Sequence, residues 1–376
     1  MIACILFSES SSNLGGQELQ LLQQMQALKA RGIRVHLLCR PDAKIATKAQ
    51  QLGLTMTSVP FRNSLHFASI RQVRRCLVKL RPDAIICHSG HDTNVCALAA
   101  RLVRNRPVIL RSRTYQPGVP GSFAYNHLVD LTMVPSAALR SQLLANHRIY
   151  PERIQVVYPG IAFEAIETAA TTPLPPELAS WLASHPGPLL VHAAMLRPEK
   201  GHLFMLDVVN NLRVRFPRIR CVMAGEGEMY SSMATRIQQL DLSEHVYLAG
   251  MLSPVAPLLL RADAVVLPST AEPLGMAQIE ALALDVAVVA NRVDGIPETI
   301  EDGVTGWLVQ AGDNLAWQKA LAEVLENPQH ARQRAHAGRL AVTERFAVDR
   351  NTNQILALIE QVQNAAIKMK GAEGAS

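Results

Sequence analysis

The sequence predicts an α/β protein built from two doubly wound domains. Short apolar runs of strand length alternate with amphipathic segments of helix length through both halves of the chain. The apolar runs are continuous, which indicates strands that are buried on both faces, as in parallel sheets. Strand–helix alternation of this kind builds doubly wound domains, and 376 residues suit two such domains better than one.

The apolar runs predict thirteen strands. Those in the first half are Ile2–Phe7, Val35–Cys39, Thr57–Pro60, Ala84–Cys87, Val108–Arg111, Leu131–Pro135 and Gln155–Tyr158. Those in the second half are Leu189–Ala193, Arg220–Ala224, Val246–Ala249, Ala264–Pro268, Ala287–Ala290 and Gly306–Val309. The amphipathic segments predict helices at Gln17–Ala30, Leu139–Asn146, Phe204–Arg215, Asn314–Leu325 and, at the C-terminus, Val348–Met369.

The segment Ala162–Pro188 has the composition of a linker, because it is rich in Pro, Thr and Ala. We therefore expect an N-terminal domain over residues 1–165 and a C-terminal domain over residues 166–347. In open parallel sheets, ligands bind beyond the carboxyl ends of the strands. The loops that follow the strands are therefore the candidate sites, and a cleft between the two domains is the expected place for a ligand.

Charge is divided unevenly between the two halves. Residues 1–165 hold 20 Lys and Arg against 8 Asp and Glu, a balance of +12, whereas residues 166–376 hold 17 against 23, a balance of −6. A basic half should face a phosphate-bearing substrate, an anionic membrane surface or a nucleic acid. Random accumulation of charged residues on solvent-exposed surfaces, without any function, would produce the same asymmetry. No nucleic-acid motif accompanies the basic residues, so we expect no nucleic-acid partner.

Composition argues against several protein classes. Hydrophobic residues make up 49% of the chain and charged residues 18%, which is unlike a disordered protein. There is no apolar run of membrane-spanning length, and the N-terminus lacks the basic region and cleavage site of a secretory signal. Six cysteines are scattered without CxxC spacing, as suits reduced thiols. We therefore expect a cytoplasmic protein.

Loops after three strands of the first half carry candidate binding residues. A pair of glycines precedes the first helix, where the backbone can approach a ligand and free N–H groups can meet an anion. Two histidines and two arginines follow later strands, and these side chains suit a polar, anionic substrate. A plain turn and solvated surface histidines are the alternatives. The candidates are Gly15, Gly16, His88, His91, Arg111 and Arg113.

The segment Phe67–Leu80 predicts a basic amphipathic helix. Its cations are Arg71, Arg74, Arg75 and Lys79, and Arg81 follows. Such a helix can lie on anionic lipid, although an ordinary helix with a charged outer face has the same pattern. Peripheral attachment to the cytoplasmic face of the inner membrane is therefore one expectation.

Loops after strands of the second half carry charged residues near glycines. Arg197 and Lys200 follow the first of these strands, and together they can bind one diphosphate. Glu272 lies in a later loop, and Gly275 precedes a helix whose N-terminal amides can hold phosphate. Glu280 lies further along that helix. The two carboxylates can each accept hydrogen bonds from a pair of sugar hydroxyls.

Four motifs in order carry a family resemblance: RPEKG, GEGE, PSTAEPLGMAQIEA and DGIPETIEDGVTGWLV. Together they resemble the C-terminal half of the retaining glycosyltransferases of family 4, among them bacterial lipopolysaccharide and cell-envelope enzymes. The glycine loop and the His88 loop resemble the N-terminal half more loosely. The resemblance implies a GT-B fold, in which two Rossmann-like domains face each other across a cleft and the C-terminal helix returns to the first domain.

The resemblance also implies roles for individual residues. Arg197, Lys200, Glu272 and His91 would be catalytic. Donor-binding residues would be Gly15, Gly16, Glu226, Gly250, Met251, Gly275, Met276, Ala277 and Glu280. The acceptor would contact His88, Arg111 and Arg113. The family often has an aromatic residue or a glycine next to the first glutamate, where this chain has Pro273 and Leu274.

The implied reaction moves a sugar, with retention, from a nucleoside-diphosphate sugar (a UDP- or GDP-sugar) to a glycan or lipid-linked acceptor, as in lipopolysaccharide or other cell-envelope glycan synthesis. Because the chain has no DxD triplet, we expect no metal and no cofactor. Cations and helix amides would stabilise the departing diphosphate.

Two other classes of function stay open at this point. A non-hydrolysing nucleotide-sugar 2-epimerase has two similar domains but needs no acceptor. A two-domain α/β ligand-binding protein has the same architecture without catalysis. A dehydrogenase is disfavoured, because the first strand is followed by SSSNLGG and not by the GxGxxG fingerprint.

Overall fold

The structure is a computed structural model that describes residues 2–115, 118 and 120–373. It divides into two compact units. The first contains Met1–Ile161 and Phe346–Ser376, and the second contains Ala162–Arg345. The boundary therefore falls four residues before the one expected from the sequence, and the chain returns to the first unit at its end.

The first unit is a seven-stranded parallel sheet in the order β3-β2-β1-β4-β5-β6-β7. Its strands are β1 (Cys4–Glu9), β2 (Arg34–Cys39), β3 (Met56–Ser58), β4 (Ala84–Cys87), β5 (Val108–Ser112), β6 (Leu131–Val134) and β7 (Ile154–Val156). Its helices are α1 (Gly16–Ala30), α2 (Lys44–Gln51), α3 (Phe67–Leu80), α4 (Gly90–Arg101) and α5 (Ala137–Leu144), with a π-helical turn at Ala124–Leu128.

The second unit is a six-stranded parallel sheet in the order β10-β9-β8-β11-β12-β13. Its strands are β8 (Leu189–Ala193), β9 (Arg220–Ala224), β10 (Val246–Gly250), β11 (Ala264–Leu267), β12 (Val288–Asn291) and β13 (Trp307–Val309). Its helices are α6 (Phe163–Ala170), α7 (Pro176–Ser184), α8 (His202–Leu212), α9 (Tyr230–Gln239), α10 (Ala256–Leu259), α11 (Met276–Ala283), α12 (Asn314–Glu326) and α13 (Pro328–Arg345).

Alternate residues of each strand pack on opposite faces of the sheet, which explains the continuous apolar runs. In β1, Ile5 and Phe7 belong to the core on the side of α1 and α2. Cys4 and Leu6 belong to the core on the side of α3 and α4. All thirteen predicted strands form within the described residues, with ends that differ by at most two residues.

The last helix, α14 (Val348–Glu373), packs against α1 of the first unit. Ile355 and Ile359 are buried in the core beside α1. The amide of Gln24 donates to Oδ1 of Asn351 at 3.2 Å, and Arg31 forms an ion pair with Asp349 at 2.5 Å. The expected C-terminal helix therefore completes the first unit.

The predicted linker at Ala162–Pro188 is wrong, because most of it folds as α6 and α7 within the second unit. Leu178 of α7 is buried, and α6 packs against α10 and α11. Pro176 is the first residue of α7. Proline is well tolerated there, since its missing N–H would have no partner within the helix. Two of the prolines that indicated a linker, Pro175 and Pro176, therefore mark the start of a helix.

Candidate active site

The second sheet reverses its strand order between β8 and β11, which lie side by side at its centre. Such a reversal opens a crevice at the carboxyl ends of the strands, where doubly wound proteins bind ligands. The loop after β8 carries Arg197 and Lys200, and the loop after β11 carries Glu272 and Gly275. The structure therefore brings these four predicted residues to one edge of one sheet.

Lys200 and Glu272 form an ion pair at this edge. Nζ of Lys200 lies 2.6 Å from Oε2 of Glu272, and the two side chains are 18% and 13% exposed. Gly201 allows this approach: its φ is +71°, and a Cβ there would collide with the carbonyl oxygen of Pro268. The backbones of the two loops also join directly, since the N–H of Thr270 donates to the carbonyl of Glu199 at 2.8 Å.

Arg197 lies beside this pair but points toward solvent. Its side chain is more than half exposed, and Nη1 lies 4.0 Å from Oε1 of Glu199. Such an exposed contact constrains a long side chain only weakly. Arg197 is therefore available to a ligand, whereas the ammonium group of Lys200 is already held in place.

Helix α11 begins at this site. Gly275, with φ at +88°, precedes Met276, and a Cβ on Gly275 would collide with the side-chain amide of Gln278. That amide donates to the carbonyl of Leu274 at 2.7 Å and to Oγ1 of Thr299 at 2.9 Å. The amides of Met276 and Ala277 lie in the first turn, where helix N–H groups have no partner within the helix and favour anions.

Glu280 lies on α11, half-buried. Burial raises the pKa of its carboxyl group to about 7. Within the ranges that the structure describes, no hydrogen-bond donor or cation pairs with this carboxylate. A half-buried acid with a raised pKa and no partner at a strand end is a functional-site candidate, and hydroxyl groups of a ligand would satisfy it.

The three other predicted donor residues of the second unit lie at or just after the ends of β9 and β10. The carbonyl of Glu226 accepts from the N–H of Leu196 at 2.9 Å, so the GEGE turn supports the Arg197 loop through its backbone. The carbonyl of Gly250 accepts from the N–H of Gly225 at 2.8 Å. Met251 is exposed. The turn and the end of β10 therefore lie next to the Arg197 loop, at the same edge of the sheet.

Sequence reasoning missed a carboxylate that holds the Glu272 loop. Oδ2 of Asp294 accepts from the N–H of Glu272 at 2.9 Å, and the N–H of Gly295 donates to the carbonyl of Glu272 at 3.1 Å. Asp294 belongs to the motif DGIPE, but the residues of this motif are equally typical of an ordinary turn. Only the fold shows which residue the turn contacts.

A pair of buried histidines lies on either side of the Arg197 loop in sequence. The rings of His192 and His202 stack with centroids 4.2 Å apart, and neither nitrogen of the His192 ring has a hydrogen-bond partner among the residues described. Burial lowers the pKa of both rings, that of His202 to about 4. Both rings are therefore neutral near pH 7, and the positive charge of this loop belongs to Arg197 and Lys200.

In the first unit, a buried carboxylate connects the glycine loop to its neighbours. Oε2 of Glu9 accepts from Nε2 of Gln17 at 2.7 Å, and Oε1 accepts from the hydroxyl of Ser89. Gly15 is the N-cap residue of α1, and its N–H donates to Oε2 of Glu18 at 2.7 Å. A Cβ on Gly16 would meet no atom within 4 Å. The backbone at Gly16 is therefore open to a ligand.

The two predicted histidines of the first unit have different surroundings. His88 is buried: its Nδ1 lies 3.2 Å from the carbonyl oxygen of Ser8, and its ring stacks on Phe7. Burial lowers the pKa of His88. This interior position does not suit the acceptor contact expected of it. His91 is exposed in the first turn of α4, with Nδ1 3.0 Å from Oγ of Ser64.

Arg111 and Arg113 line a cavity of about 410 Å³ together with Asn94, Phe123 and Tyr125. The guanidinium group of Arg111 lies over the ring of Tyr125, 4.9 Å from its centroid, and its Nε has no hydrogen-bond partner in the described part of the chain. Burial, and then the charge of Arg111, lower the pKa of Arg113. Two crowded guanidinium groups of this kind favour an anionic ligand.

Two family models match the chain, one in each half. The model described as glycosyltransferase family 4 matches residues 14–165, and the model described as glycosyl transferases group 1 matches residues 177–341. Between them they cover more than four fifths of the sequence. This chain belongs to the glycosyltransferases of family 4 and group 1. The family 4 glycosyltransferase assignment that the four motifs indicated is thereby confirmed.

Individual glycosyltransferases are similar to this one along most of their length. The putative glycosyltransferase EpsD of Bacillus subtilis is 25% identical over 326 residues, which cover 83% of this chain and 85% of the relative. A crystal structure of a glycosyltransferase from Rickettsia africae superposes with a TM-score of 0.84 at 20% identity, covering 96% of this chain and 99% of that one.

A third similar protein is HepE of Anabaena, whose crystal structure was determined in complex with UDP. It superposes with a TM-score of 0.81 at 19% identity and covers 95% of this glycosyltransferase and 99% of that chain. These structural similarities confirm the predicted GT-B fold. Within the described ranges, the glycosyltransferase has no helix that is long and apolar enough to cross a membrane, and no group of three His, Cys, Asp or Glu residues is arranged to hold a metal ion.

Proposed function

We propose that this glycosyltransferase takes its sugar from a UDP-sugar that binds the second unit, and that it transfers the sugar with retention and without a metal ion. The observation that carries the proposal is the ion pair of Lys200 and Glu272 at the switch point between β8 and β11. The pair places a cation that can bind the diphosphate, Lys200, next to a carboxylate that can bind sugar hydroxyls, Glu272. UDP is favoured because a protein of the same fold, HepE, binds it.

The proposed chemistry is electrostatic. Negative charge builds up on the diphosphate as the bond to the sugar breaks. Lys200, Arg197 and the first-turn amides of Met276 and Ala277 would stabilise that charge with groups already in place. Glu272 would bind hydroxyls of the sugar, and Glu280 those of the ribose. In this scheme the departing phosphate takes the acceptor's proton, so no side chain acts as a covalent nucleophile.

The acceptor is proposed to bind the first unit. The cavity at Arg111 and Arg113 provides two cations beside aromatic surface, which suits a phosphorylated glycan or a lipid-linked sugar. A phosphorylated lipopolysaccharide core or another cell-envelope glycan has this chemistry. His91, exposed at the start of α4, is kept as a proposed catalytic contact.

Attachment to an anionic membrane is proposed for α3. Its cations Arg71 and Arg75 are exposed. The apolar side chain of Phe67, the first residue of the helix, is 77% exposed, and that of Leu65, just before the helix, is 73% exposed. Cations next to exposed apolar groups suit the interface of an anionic bilayer.

Sedimentation with vesicles tests this surface. The wild type should sediment with phosphatidylglycerol vesicles and not with phosphatidylcholine vesicles. Arg71→Ala with Arg75→Ala should lose the binding, whereas Lys44→Ala with Lys48→Ala, the same charge change on α2, should keep it. Equal loss in both double variants would contradict a specific surface on α3.

Turnover with purified donors tests the transferase function. The enzyme should release UDP from a UDP-sugar in the presence of EDTA, faster when a membrane or glycan extract supplies an acceptor. The anomeric configuration of the product, read by NMR, should match that of the donor. A change in the donor sugar without any acceptor would instead indicate the alternative function, a nucleotide-sugar 2-epimerase.

A further inference from the structure

Both backbone groups of Glu272 are held by two consecutive residues that follow β12. The N–H of Glu272 donates to Oδ2 of Asp294 at 2.9 Å, and its carbonyl accepts from the N–H of Gly295 at 3.1 Å. The remaining polar group of Glu272 is its carboxylate, which meets Lys200. The backbone of Glu272 is thus held by the turn after β12, and its side chain by the loop after β8.

The local backbone of the 294–295 turn is specialised for this contact. Asp294 has φ at +41°, a conformation that Asp, Asn and Gly adopt more readily than other residues. A Cβ on Gly295 would collide with the carbonyl oxygen of Pro273. The turn therefore packs tightly against the Glu272 loop, at a distance that larger residues would not allow.

We propose that Asp294 is a positioning residue for the donor sugar. By accepting the N–H of Glu272, it sets the orientation of the loop and aims the Glu272 carboxylate at the sugar hydroxyls beside Lys200. The inference rests on the proposed function, because it takes Glu272 as the residue that binds the sugar. It adds a residue that neither the motifs nor the resemblance assigned to the reaction.

If Asp294 positions Glu272 in this way, its substitution should affect the binding of UDP and the use of the UDP-sugar differently. UDP alone lacks the sugar, so its binding should depend little on the orientation of the Glu272 carboxylate. A UDP-sugar needs that carboxylate, so its KM should depend on Asp294. A residue that serves only the stability of the fold would change neither property selectively.

Three substitutions at Asp294 distinguish the effect of its hydrogen-bond acceptor oxygen from the effect of its backbone conformation. Asp294→Gly keeps the positive φ but removes the acceptor, and Asp294→Ala removes both. Asp294→Asn keeps a side-chain oxygen and tolerates the same φ. We expect Asp294→Gly and Asp294→Ala to raise KM for the UDP-sugar by roughly three- to tenfold, the range for loss of one hydrogen bond, with the dissociation constant for UDP unchanged. The Asp294→Asn enzyme should keep the wild-type KM.

Asp241→Gly is the matched control. Asp241 also has a positive φ, +53°, and precedes β10, so it lies at the opposite edge of the same sheet. Like Asp294→Gly, the Asp241→Gly variant removes one negative charge and places a glycine, which tolerates the positive φ. Its KM for the UDP-sugar should equal that of the wild type.

A double-mutant cycle tests whether Asp294 acts through Glu272. If it does, Asp294→Gly should have no further effect on KM once Glu272→Ala is present. Independent, multiplying effects would overturn the inference, as would an Asp294→Gly enzyme with wild-type KM, or an Asp294→Asn enzyme as impaired as Asp294→Gly. A wild type that binds no nucleotide would instead contradict the proposed function itself. The two failures are therefore distinguishable.

Discussion

Nζ of Lys200 lies 2.6 Å from Oε2 of Glu272, although 72 positions separate the two residues in sequence. The contact exists because β8 and β11 are neighbours in the sheet, so the loops that follow them meet at one edge. A diphosphate that approaches Lys200 therefore also approaches a carboxylate suited to sugar hydroxyls.

Removal of the Lys200 ammonium should impair catalysis more than folding. Lys200→Ala deletes the charge that we propose stabilises the departing diphosphate, and it leaves Glu272 without its cation. We expect kcat/KM for the UDP-sugar to fall on the order of 100-fold, as for other preorganised groups that stabilise a transition state. Lys319→Ala, on the exposed face of α12, is the control. Equal activity in the two variants would exclude the proposed role of Lys200.

Glu280 should make nucleotide affinity depend on pH. Its pKa is about 7 in the folded protein, and the ionised carboxylate accepts hydrogen bonds from hydroxyls more strongly. Because the ionised fraction rises from pH 6 to pH 8, UDP should bind about five- to tenfold more tightly at pH 8. Glu280→Gln should remove this component, and only the smaller pH effect of the UDP phosphates should remain. An identical pH profile in both proteins would contradict the prediction.

The same carboxyl group should also affect stability. Its pKa is raised from 4.5 in the unfolded chain to about 7 in the folded one, so the neutral form favours folding. That contribution is fully present below pH 4.5 and is lost as pH rises through 7. Urea unfolding should therefore show Glu280→Gln to be more stabilising at pH 8 than at pH 5. The opposite trend would mean that the group is not buried as described.

Gly275 should tolerate no side chain. Gly275→Ala forces an alanine into φ of +88° and drives its Cβ into the amide of Gln278, whereas Gly303→Ala meets the strain of φ at +77° but open space. We expect about 1 kcal/mol of destabilisation for Gly303→Ala and roughly 2–4 kcal/mol for Gly275→Ala. Urea unfolding measures both. Equal destabilisation in the two variants would show that the Gln278 side chain moves away from the new Cβ without a cost in stability.

The arginines of the first unit should serve the acceptor and not the donor. Arg111→Ala and Arg113→Ala should each raise KM for the acceptor by about tenfold or more, as expected for loss of a charge-assisted contact, with KM for the UDP-sugar unchanged. Arg104→Ala, an exposed arginine of the same unit, should change neither. If KM for the UDP-sugar rose instead, these arginines would be assigned to the donor site and not to the acceptor site.

Much of the fold was predictable from sequence because each strand of these sheets is a continuous apolar run. The strand β4 was predicted to the residue for that reason, and so was β8. The helices α6 and α7 were missed, since the segment that contains them is rich in Pro, Thr and Ala, as linkers are, and prolines also occur at helix starts such as that of α7. Composition alone does not distinguish the two.

The candidate site was predictable in its residues but not in its contacts. Charged residues after β8 and β11 indicated a phosphate and sugar site, but the ion pair of Lys200 with Glu272 depends on which strands are adjacent. The role of Asp294 depends on a backbone contact that leaves no pattern in the sequence. The burial of His88 was equally invisible, because the residue directly follows a strand and can lie inside or outside.

We propose that the second unit binds a nucleoside diphosphate through Lys200 without a metal ion. The decisive experiment is calorimetric titration of the full chain with UDP, GDP, ADP, CMP and TDP, each in EDTA. We predict that UDP binds in the micromolar range and that Lys200→Ala weakens it at least tenfold, while Lys319→Ala does not. If no nucleotide bound, or if Lys200→Ala bound as tightly as the wild type, the donor site described around Lys200 and Glu272 would be wrong.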